Sequence, residues 1–569
     1  NLNSSQAAMT SAFSPALVPD AVMPAAPVYA PPAAFDTPVL IVGAGPVGLA
    51  LAGDLGWRGI PCILVEKSDG AISQPKMDMV GVRSMEFCRR WGIAEAVRHC
   101  PYPRDYKQDV VYLTSMVGYE LAREVLPAMQ DDRPPPQSPE MKERCPQDMF
   151  DPILKAFVET WPGITLRYGT RLLGLREVSD MVEADVENVT SGTVSTLRAH
   201  YVVACDGAAS AVRKHLGIAM QGKPVLTYTT NIIFRCPHLL TLHDKGQAYR
   251  HIFVGSQGVW STIVAINGAD RWRMSIIGSA QQNALGIEDI HAAIRRAVGV
   301  DFDYEILSVE PWVRRELLAD HYRWARVFLA GDAAHIMSPT GGMGMNTGIA
   351  DAVDLSWKLD ATLRGWGGQA LLNSYENERR PVARRNMAES SVNLSAMLSA
   401  ECNDAILDDG IEGARVRARV GRTLADAMRK EWHQTGLSLG YRYDDSPICW
   451  NEGLAPLPAW DRQDYVQIVR AGARAPHVWL NDGRSTLDLF GRGFVLLRVG
   501  SNAPNAAPLE AAATMRGLPL QIVDVAEPAV SAVYDMRLVL VRPDGNIAWC
   551  SHDLPENPLK LIDRIRGAN

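Results

Sequence analysis

The sequence predicts an α/β protein in three folded parts: a doubly wound parallel sheet, a mostly antiparallel sheet inserted into it, and a small α/β unit at the C-terminal end. Three observations carry this. At 37–67 a glycine-rich turn joins a short apolar run to a helical pattern and a second apolar run. Over 225–280 the runs "VLTYTTNIIFR", "AYRHIFVG", "VWSTIVAI" and "RWRMSIIG" alternate and are rich in β-branched residues. Over 471–569 strand-like runs alternate with helical or turn segments.

At 569 residues and 47% hydrophobic, the chain can bury a large core divided among several domains. A net charge of −7 gives no reason to expect nucleic acid or an anionic membrane as partner. No run of about 18 apolar residues is present, so no transmembrane helix is expected. Nine cysteines lie scattered without CxxC pairs or metal-ligand spacing, which points to no metal and to a reduced, cytoplasmic protein.

Residues 1–36 hold no Lys or Arg and are rich in Ala and Pro, without the basic start of a secretory signal. They read as a disordered arm. Next, Val39-Leu40-Ile41-Val42 suits a buried parallel strand and leads into Gly43-Ala44-Gly45-Pro46-Val47-Gly48. Gly43 permits a tight turn, Gly45 lets the backbone approach a pyrophosphate, and Gly48 lets helix and strand pack closely. The helix N-terminus offers unpaired N–H groups to the anion. Glu66, ending the run Cys62–Val65 and followed by Lys67, would accept hydrogen bonds from a ribose diol. GxGxxG alone is weak; in this strand–helix–strand–acid setting it is a Rossmann dinucleotide fingerprint. The acid would repel a 2′-phosphate, favouring FAD or NAD over NADP at this position.

Tyr201–Cys205 reads as another buried strand ending in Asp206-Gly207, with Arg213 on the helix beyond. A third strand, Arg326–Ala330, ends in Gly331-Asp332 and enters "AAHIMSPTGGMGMN" before a helix from about Thr347. So permissive a loop between strand and helix suits close approach by a large ligand. Asp332 could hold sugar-alcohol hydroxyls, and the N–H groups from Gly341 to Asn346 could face an electron-rich ring edge. Residues 101–145 form a loop rich in Pro and charge, and 350–430 is helical and charged. A Trp- and Pro-bearing linker follows around 442–470. The terminal unit holds a turn signal, Arg542-Pro543-Asp544-Gly545, between two strands.

With "GAGPVG" (43–48), "DGAASAVR" (206–213) and "AGDAAHIMSPTGGMGMNTGIADAVDLSWKL" (330–359) in this order, the chain closely resembles the FAD-dependent aromatic hydroxylases of the p-hydroxybenzoate hydroxylase type. "GVRSMEFCRRWGI" (81–93) and Gln147 in "CPQDMFDPIL" extend the resemblance across roughly residues 37–400. It implies non-covalent FAD, with NAD(P)H and O₂ as co-substrates. Gly43, Gly45, Pro46, Gly48, Glu66 and Lys67 would hold its adenosine and pyrophosphate half. Arg83 and Gln147 would flank the pyrophosphate and ribityl chain, with Lys76 beside them. Asp332 would bind the ribityl hydroxyls, Pro339 would sit near the reacting edge of the flavin, and Gly341, Gly342, Gly344, Met345 and Asn346 would cover its N1/C2 side. Asp206 would support the site and help accommodate NAD(P)H. Where the family has Pro-Arg-Ala this chain has Pro75-Lys76-Met77, keeping a charge but losing the planar fork.

The resemblance further implies a discontinuous FAD-binding domain (37–220 and 316–400) and a substrate-binding sheet domain (221–315, with 101–145 contributing). A helical segment and linker (401–470) and a thioredoxin-like C-terminal domain (471–569) would follow, the last structural or serving formation of a homodimer. Tyr228, Asn231 and His251 are the pocket-facing candidates for catalysis, against the alternative that strand Tyr and His residues are packed and satisfied. The implied activity is hydroxylation of a phenolic substrate through a flavin C4a-hydroperoxide. Baeyer–Villiger-type oxygenation of a polyketide-like substrate is the alternative on the same fold. A non-catalytic flavin-binding protein is the alternative of another class. Disulfide reductase chemistry is disfavoured because no close cysteine pair stands in the sequence.

Overall fold

A computed structural model describes residues 26–281, 285–451 and 457–568. Most of the arm predicted to be disordered lies outside the described residues, but its last stretch is packed. Tyr29 donates its N–H to the Gly59 carbonyl at 2.8 Å, and the Phe35 ring stacks on His200 at 3.5 Å. Two aromatic side chains and a paired backbone hold 26–36 to the body, correcting the reading of disorder there.

The first sheet runs in the order Arg323–Trp324, Val327–Leu329, Val194–Ala204, Thr37–Val42, Cys62–Val65, Ile164–Arg167. The last five strands in this order are parallel, and Val42, Ala204, Leu329 and Val65 stand in register at their carboxyl ends. Thr37–Val42 and Cys62–Val65 are buried throughout, as expected for strands covered on both faces. Helix α1 (Pro46–Trp57) follows the first strand and crosses back over the sheet. Helices α2 (Val82–Arg90) and α3 (Gln147–Glu159) lie beside it.

The second sheet has eight strands, in the order His335–Ile336, Glu305–Ala319, Met220–Arg235, Arg271–Ile277, Gly258–Ala265, Arg250–Gly255, Val110–Leu113, Glu120–Glu124. All pairs are antiparallel except Arg250–Gly255 with Val110–Leu113. The stretch 101–145, read as loop, therefore supplies two strands; its apolar "VVYL" finds cross-strand partners that local sequence cannot reveal. Helix α4 (Ile287–Val298) covers one face: His291 meets the Tyr304 hydroxyl at 2.6 Å, and the Tyr304 ring lies 6.0 Å from Phe234.

The opposite face turns toward the first sheet and toward three long helices, α5 (Met343–Leu363), α6 (Ser374–Leu398) and α7 (Ile411–Trp432). The segment read as helical and charged braces this second sheet. Leu394, Met397, Val416, Leu424 and Met428 share one buried cluster with Val110, Tyr112, Ile252 and Val254. At periodic positions, these apolar residues give α6 and α7 a buried stripe beneath their charged surface.

The C-terminal unit is a four-stranded sheet ordered Leu520–Val525, Phe494–Val499, Leu538–Val541, Ile547–Ser551, with only the first pair parallel. Helices Ala507–Met515, Pro528–Val533 and Pro558–Ile565 complete it. The predicted Arg542–Gly545 turn connects its last two strands and is buried against α5 and α6, where Arg542 meets Asp354 and Glu378.

Candidate active site

Parallel pairing places the three glycine-bearing turns side by side. Cys205 donates its N–H to Val42, Ala330 to Ala204, and Gly43 to Val65, each at 2.8 to 3.0 Å. Gly43 has φ +108°, and a Cβ there would lie 2.3 Å from the Cys205 carbonyl oxygen. A Cβ on Gly48 would lie 1.9 Å from the Gly43 carbonyl oxygen. Any larger residue at either position would push the first turn off its neighbours. A Cβ on Gly45, by contrast, meets nothing within 4 Å. Open space thus fronts the N-terminus of α1, which begins at Pro46 and has no side-chain cap.

Glu66 ends the second strand beside this opening. Burial pushes its pKa upward, but the N–H groups of Ala44 (3.0 Å) and Ser68 (2.8 Å) outweigh that and hold the carboxyl below its usual range. Lys67 next to it is exposed. Asp206 accepts from the N–H groups of Ala211 (2.8 Å) and Val212 (3.2 Å), while its Oδ1 is buried without a partner. Arg213 ties this turn to the third by donating to the carbonyls of Ala208 and Ala333, both at 3.0 Å.

Asp332 is exposed by surface area, yet it lies so deep among protein atoms that burial raises its carboxyl pKa against the pull of His335 and Lys76. Its carboxyl thus lines an inward cleft, open to solvent yet surrounded by protein. Lys76, itself exposed, has its backbone N–H on the Gln147 side chain at 3.0 Å, so Gln147 sets the path of the 75–78 segment. The second sheet holds the same segment from the other side, Arg273 reaching the Pro75 carbonyl at 2.6 Å and Asp78 at 2.5 Å.

Beyond Pro339, which is exposed, Gly341 and Gly342 have φ +96° and +64°, and α5 begins at Met343 rather than Thr347. The N-terminus of α5 has no side-chain cap, so the N–H groups of Met343, Gly344 and Met345 end the helix as free donors. Asn346 clamps the loop: its Oδ1 accepts from the Gly81 N–H (2.8 Å) and Ser84 Oγ (2.7 Å), while Nδ2 donates to the Gly342 carbonyl (2.8 Å).

Three expectations are corrected. Arg83 does not flank the cleft. Its guanidinium is buried against Glu86 (2.7 Å), the Asp544 carbonyl (2.9 Å) and the Tyr441 hydroxyl (3.3 Å), all between α2 and the C-terminal unit. An acid one turn along α2, a carbonyl of the C-terminal unit and a tyrosine hydroxyl of the preceding linker satisfy it there. His251 and Tyr228 lie on the α4 side of the second sheet, because cross-strand register aligns His251 with Ile263, Met274 and Ile232, and Tyr228 alternates onto that side. Burial drives the fully enclosed His251 down to a pKa of about 3, so it is a neutral core imidazole. Asn231 does face the cleft side, aligned with Ser275, Thr262, Ile252 and Tyr112, and accepts from Ser275 Oγ at 2.7 Å. Finally, the fold brings the buried Cys100 beside the buried Cys145, its thiol donating to the Arg144 carbonyl at 3.3 Å, a proximity that linear spacing concealed.

Sequence reasoning also missed Asp351. Fully buried on α5, it accepts from the Gly331 N–H (3.2 Å), His335 Nε2 (2.6 Å) and Arg379 (2.7 Å), and so fixes the Gly-Asp turn. An Asp inside the apolar stretch "GIADAVDL" was the available signal. Glu431 was missed as well: at the end of α7 it accepts from the Gly341 N–H at 3.1 Å and from Arg250 at 3.0 Å.

These features fit FAD: an open helix N-terminus for the pyrophosphate, an acid for the ribose, an inward Asp332, and free N–H groups where a flavin edge would lie. Residues 36–390 match the family described as FAD binding domain, and 469–567 that described as aromatic-ring hydroxylase, C-terminal. The FAD-dependent monooxygenase apdD of Emericella nidulans is 33% identical over 549 residues, covering 90% of this chain and 87% of that protein. The 4-methyl-5-nitrocatechol 5-monooxygenase of a Burkholderia species is 31% identical, covering 95% and 99%. Among solved structures, chromopyrrolic acid-soaked RebC with bound 7-carboxy-K252c superposes with a TM-score of 0.88 at 39% identity, over 94% of this chain and 100% of that one. The shared length, the two matched domains and the cofactor cleft agree: this chain belongs to the FAD-dependent monooxygenases that join an FAD-binding domain to an aromatic-ring hydroxylase C-terminal domain.

Proposed function

We propose that this enzyme uses NAD(P)H and O₂ to hydroxylate a fused-ring aromatic substrate bearing a phenolic hydroxyl. The observation that carries the reading is the Glu431 contact. One side chain joins Gly341 of the cofactor loop to Arg250 of the second sheet, so the cleft and that sheet face form one chamber. A fused-ring guest is supported by relatives named polyketide hydroxylase and aklavinone 12-hydroxylase, and by the 7-carboxy-K252c bound in RebC.

Bound FAD supplies two-electron chemistry with NAD(P)H and O₂. In this reading, the N-terminus of α1 holds the pyrophosphate and Glu66 the ribose diol. Asp332 takes ribityl hydroxyls at its Oδ atoms, with Lys76 near enough to balance its charge. The free N–H groups of α5 would serve as donors to the flavin, already aimed and so costing no reorganisation. Pro339, Asn346 and Gln147 fix the loops around it, and the Asn231 side of the second sheet roofs the aromatic guest and excludes water. The C-terminal unit, whose strand order suits a thioredoxin-like fold, acts as a structural brace, and nine free thiols suit a reduced, cytoplasmic setting.

Purified protein should be yellow, and its NADPH or NADH oxidation should accelerate with polycyclic phenols such as naphthols or anthrols, giving a product heavier by one oxygen atom. A ring-expanded lactone would favour the Baeyer–Villiger alternative. Flavin binding without stimulated turnover by any aromatic would favour the non-catalytic one. A colourless protein that takes up no FAD would overturn the reading altogether.

A further inference from the structure

Arg314 is a buried charge with few partners among the described residues; the Trp312 ring lies 5.8 Å from its guanidinium carbon. Arg314 lies on Glu305–Ala319, is 3% exposed, and its Nε and Nη1 are both buried without a hydrogen-bond partner. Its cross-strand neighbour Thr227 has a buried, unpartnered hydroxyl as well. Burial first, and then repulsion from Arg250, lowers the Arg314 pKa to about 10, with Glu431 pulling the other way. The group therefore stays protonated at neutral pH, and Arg250 and Glu431 lie within its electrostatic reach.

Charge in this corner does not balance. Arg250 and Arg314 bring two guanidinium groups; Glu431 brings one carboxylate, whose Oε1 is already shared by Arg250 and the Gly341 N–H, and Glu124, in the same cross-strand row as Arg250, turns its own toward His433 at 3.3 Å. Its Oε2 is buried and unpartnered, and so is Nε of Arg250. A buried cation without an anion is costly, and a fold retains one where a ligand completes it. Gly341 stands two residues beyond Pro339, so the excess positive charge faces the same chamber as the cofactor loop.

We propose that Arg314 and Arg250 form an anion subsite that takes a carboxylate carried by the aromatic substrate, with Glu431 setting the arginines apart and tying them to the cofactor loop. This rests on the hydroxylase reading above. A carboxylate suits the corner better than a lone phenolate, since its two oxygens match the guanidinium fork and can engage both arginines. Arg314 thereby selects acidic substrates, and places the ring by its carboxyl end.

The test uses the FAD-loaded full chain and two probes that differ by one carboxylate, 1-hydroxy-2-naphthoate and 1-naphthol, titrated against the visible spectrum of the bound flavin at pH 7.5. The acid should bind ~10-fold tighter or better. Arg314→Gln should abolish that preference with the FAD-to-protein ratio unchanged, and Arg314→Lys should restore part of it. Equal binding of the two probes to the wild type, no spectral response to either, or an acid preference surviving in Arg314→Gln would each overturn the subsite. Naphthol binding that rises with pH and passes the acid would replace carboxylate by phenolate, which also overturns the proposal as made. Wild-type protein that purifies without FAD would instead overturn the underlying flavin reading.

Discussion

Asp332 and Asp351 stand one helix apart and do different work. Asp332 faces the cleft without a side-chain hydrogen bond to another of the described residues, its pKa raised by burial. Asp351 is consumed by Gly331, His335 and Arg379, which overcome burial and hold its pKa low. Asp332→Ala should therefore yield protein nearly devoid of flavin, read as the 450 to 280 nm absorbance ratio, with an unchanged far-ultraviolet spectrum. Asp151 offers a pH signature. Burial pushes its carboxyl from the ordinary 3.8 up to about 8, against the hydrogen bond from Gln147. A carboxyl neutral in the fold and ionised when unfolded costs nothing below pH 3.8, and its cost grows as pH rises toward 8. Asp151→Asn should thus raise Tm at pH 8 and leave it unchanged near pH 4. His251→Ala should lower stability by about 2–4 kcal/mol, as for a large buried side chain cut back, without changing the ratio of product formed to NAD(P)H consumed. Asp332 was legible in the sequence because it follows a strand and a glycine. The facing of His251 was not, because one residue of register decides it and no local signal reports register.

At the scale of elements, the site is built from helix ends. Helix α1 could be read from sequence as far as its cap, since strand, glycines and acid fall within one short segment. The start of α5 was misplaced because Gly342 in the left-handed region launches the helix from within the glycine-rich loop. What holds that start is Asn346, which bonds both its own turn and the 79–84 segment. Asn346→Leu removes four hydrogen bonds and leaves the Gly81 N–H unmatched in a partly buried place. Weaker FAD binding and more NAD(P)H oxidised to peroxide without product are the expected results, measured by flavin titration and a peroxide assay. Intact coupling in that variant would show the clamp to be incidental. The ends of α6 and α7 were readable only as charged helices. That Glu431 closes onto Gly341 depends on how three elements distant in sequence meet, which periodicity does not encode.

On the scale of the whole molecule, the C-terminal unit is wired into the enzyme rather than appended to it. Arg542 bonds Glu378 (2.6 Å), Asp354 (3.0 Å) and Asp544 (2.6 Å), and Lys358 bonds Asp354 (2.7 Å) and Glu378 (2.6 Å), all fully enclosed. Arg542→Met leaves buried carboxylates uncompensated and should cost ~3–5 kcal/mol, seen as a lower urea midpoint with flavin released in the same transition. A second contact, Glu86 with Arg83 and Arg474, sets an acid limit. Against burial, Arg474 and Arg83 bring Glu86 from the ordinary 4.5 down to about 2. Its stabilisation is complete above pH 4.5 and is lost as pH falls toward 2. In Glu86→Gln the acid unfolding midpoint should become less steep over that window. The existence of a separate C-terminal α/β unit was plain from sequence, and so was the Arg542–Gly545 turn. That the turn carries a charge into α5 and α6 was not, because a turn signal says where the chain reverses and nothing about what it enters.

The Arg542 knot has a practical corollary for anyone recombining related flavoenzymes. Its three acids and two bases come from both sides of a junction that would look like a natural place to cut and splice. A hybrid inheriting the terminal unit from one parent and α5 and α6 from another would trap mismatched ions in a dry seam, however well each half folds by itself. Breakpoints that keep positions 354, 358, 378, 542 and 544 from a single ancestor should give coloured, soluble hybrids, and those that divide them should not.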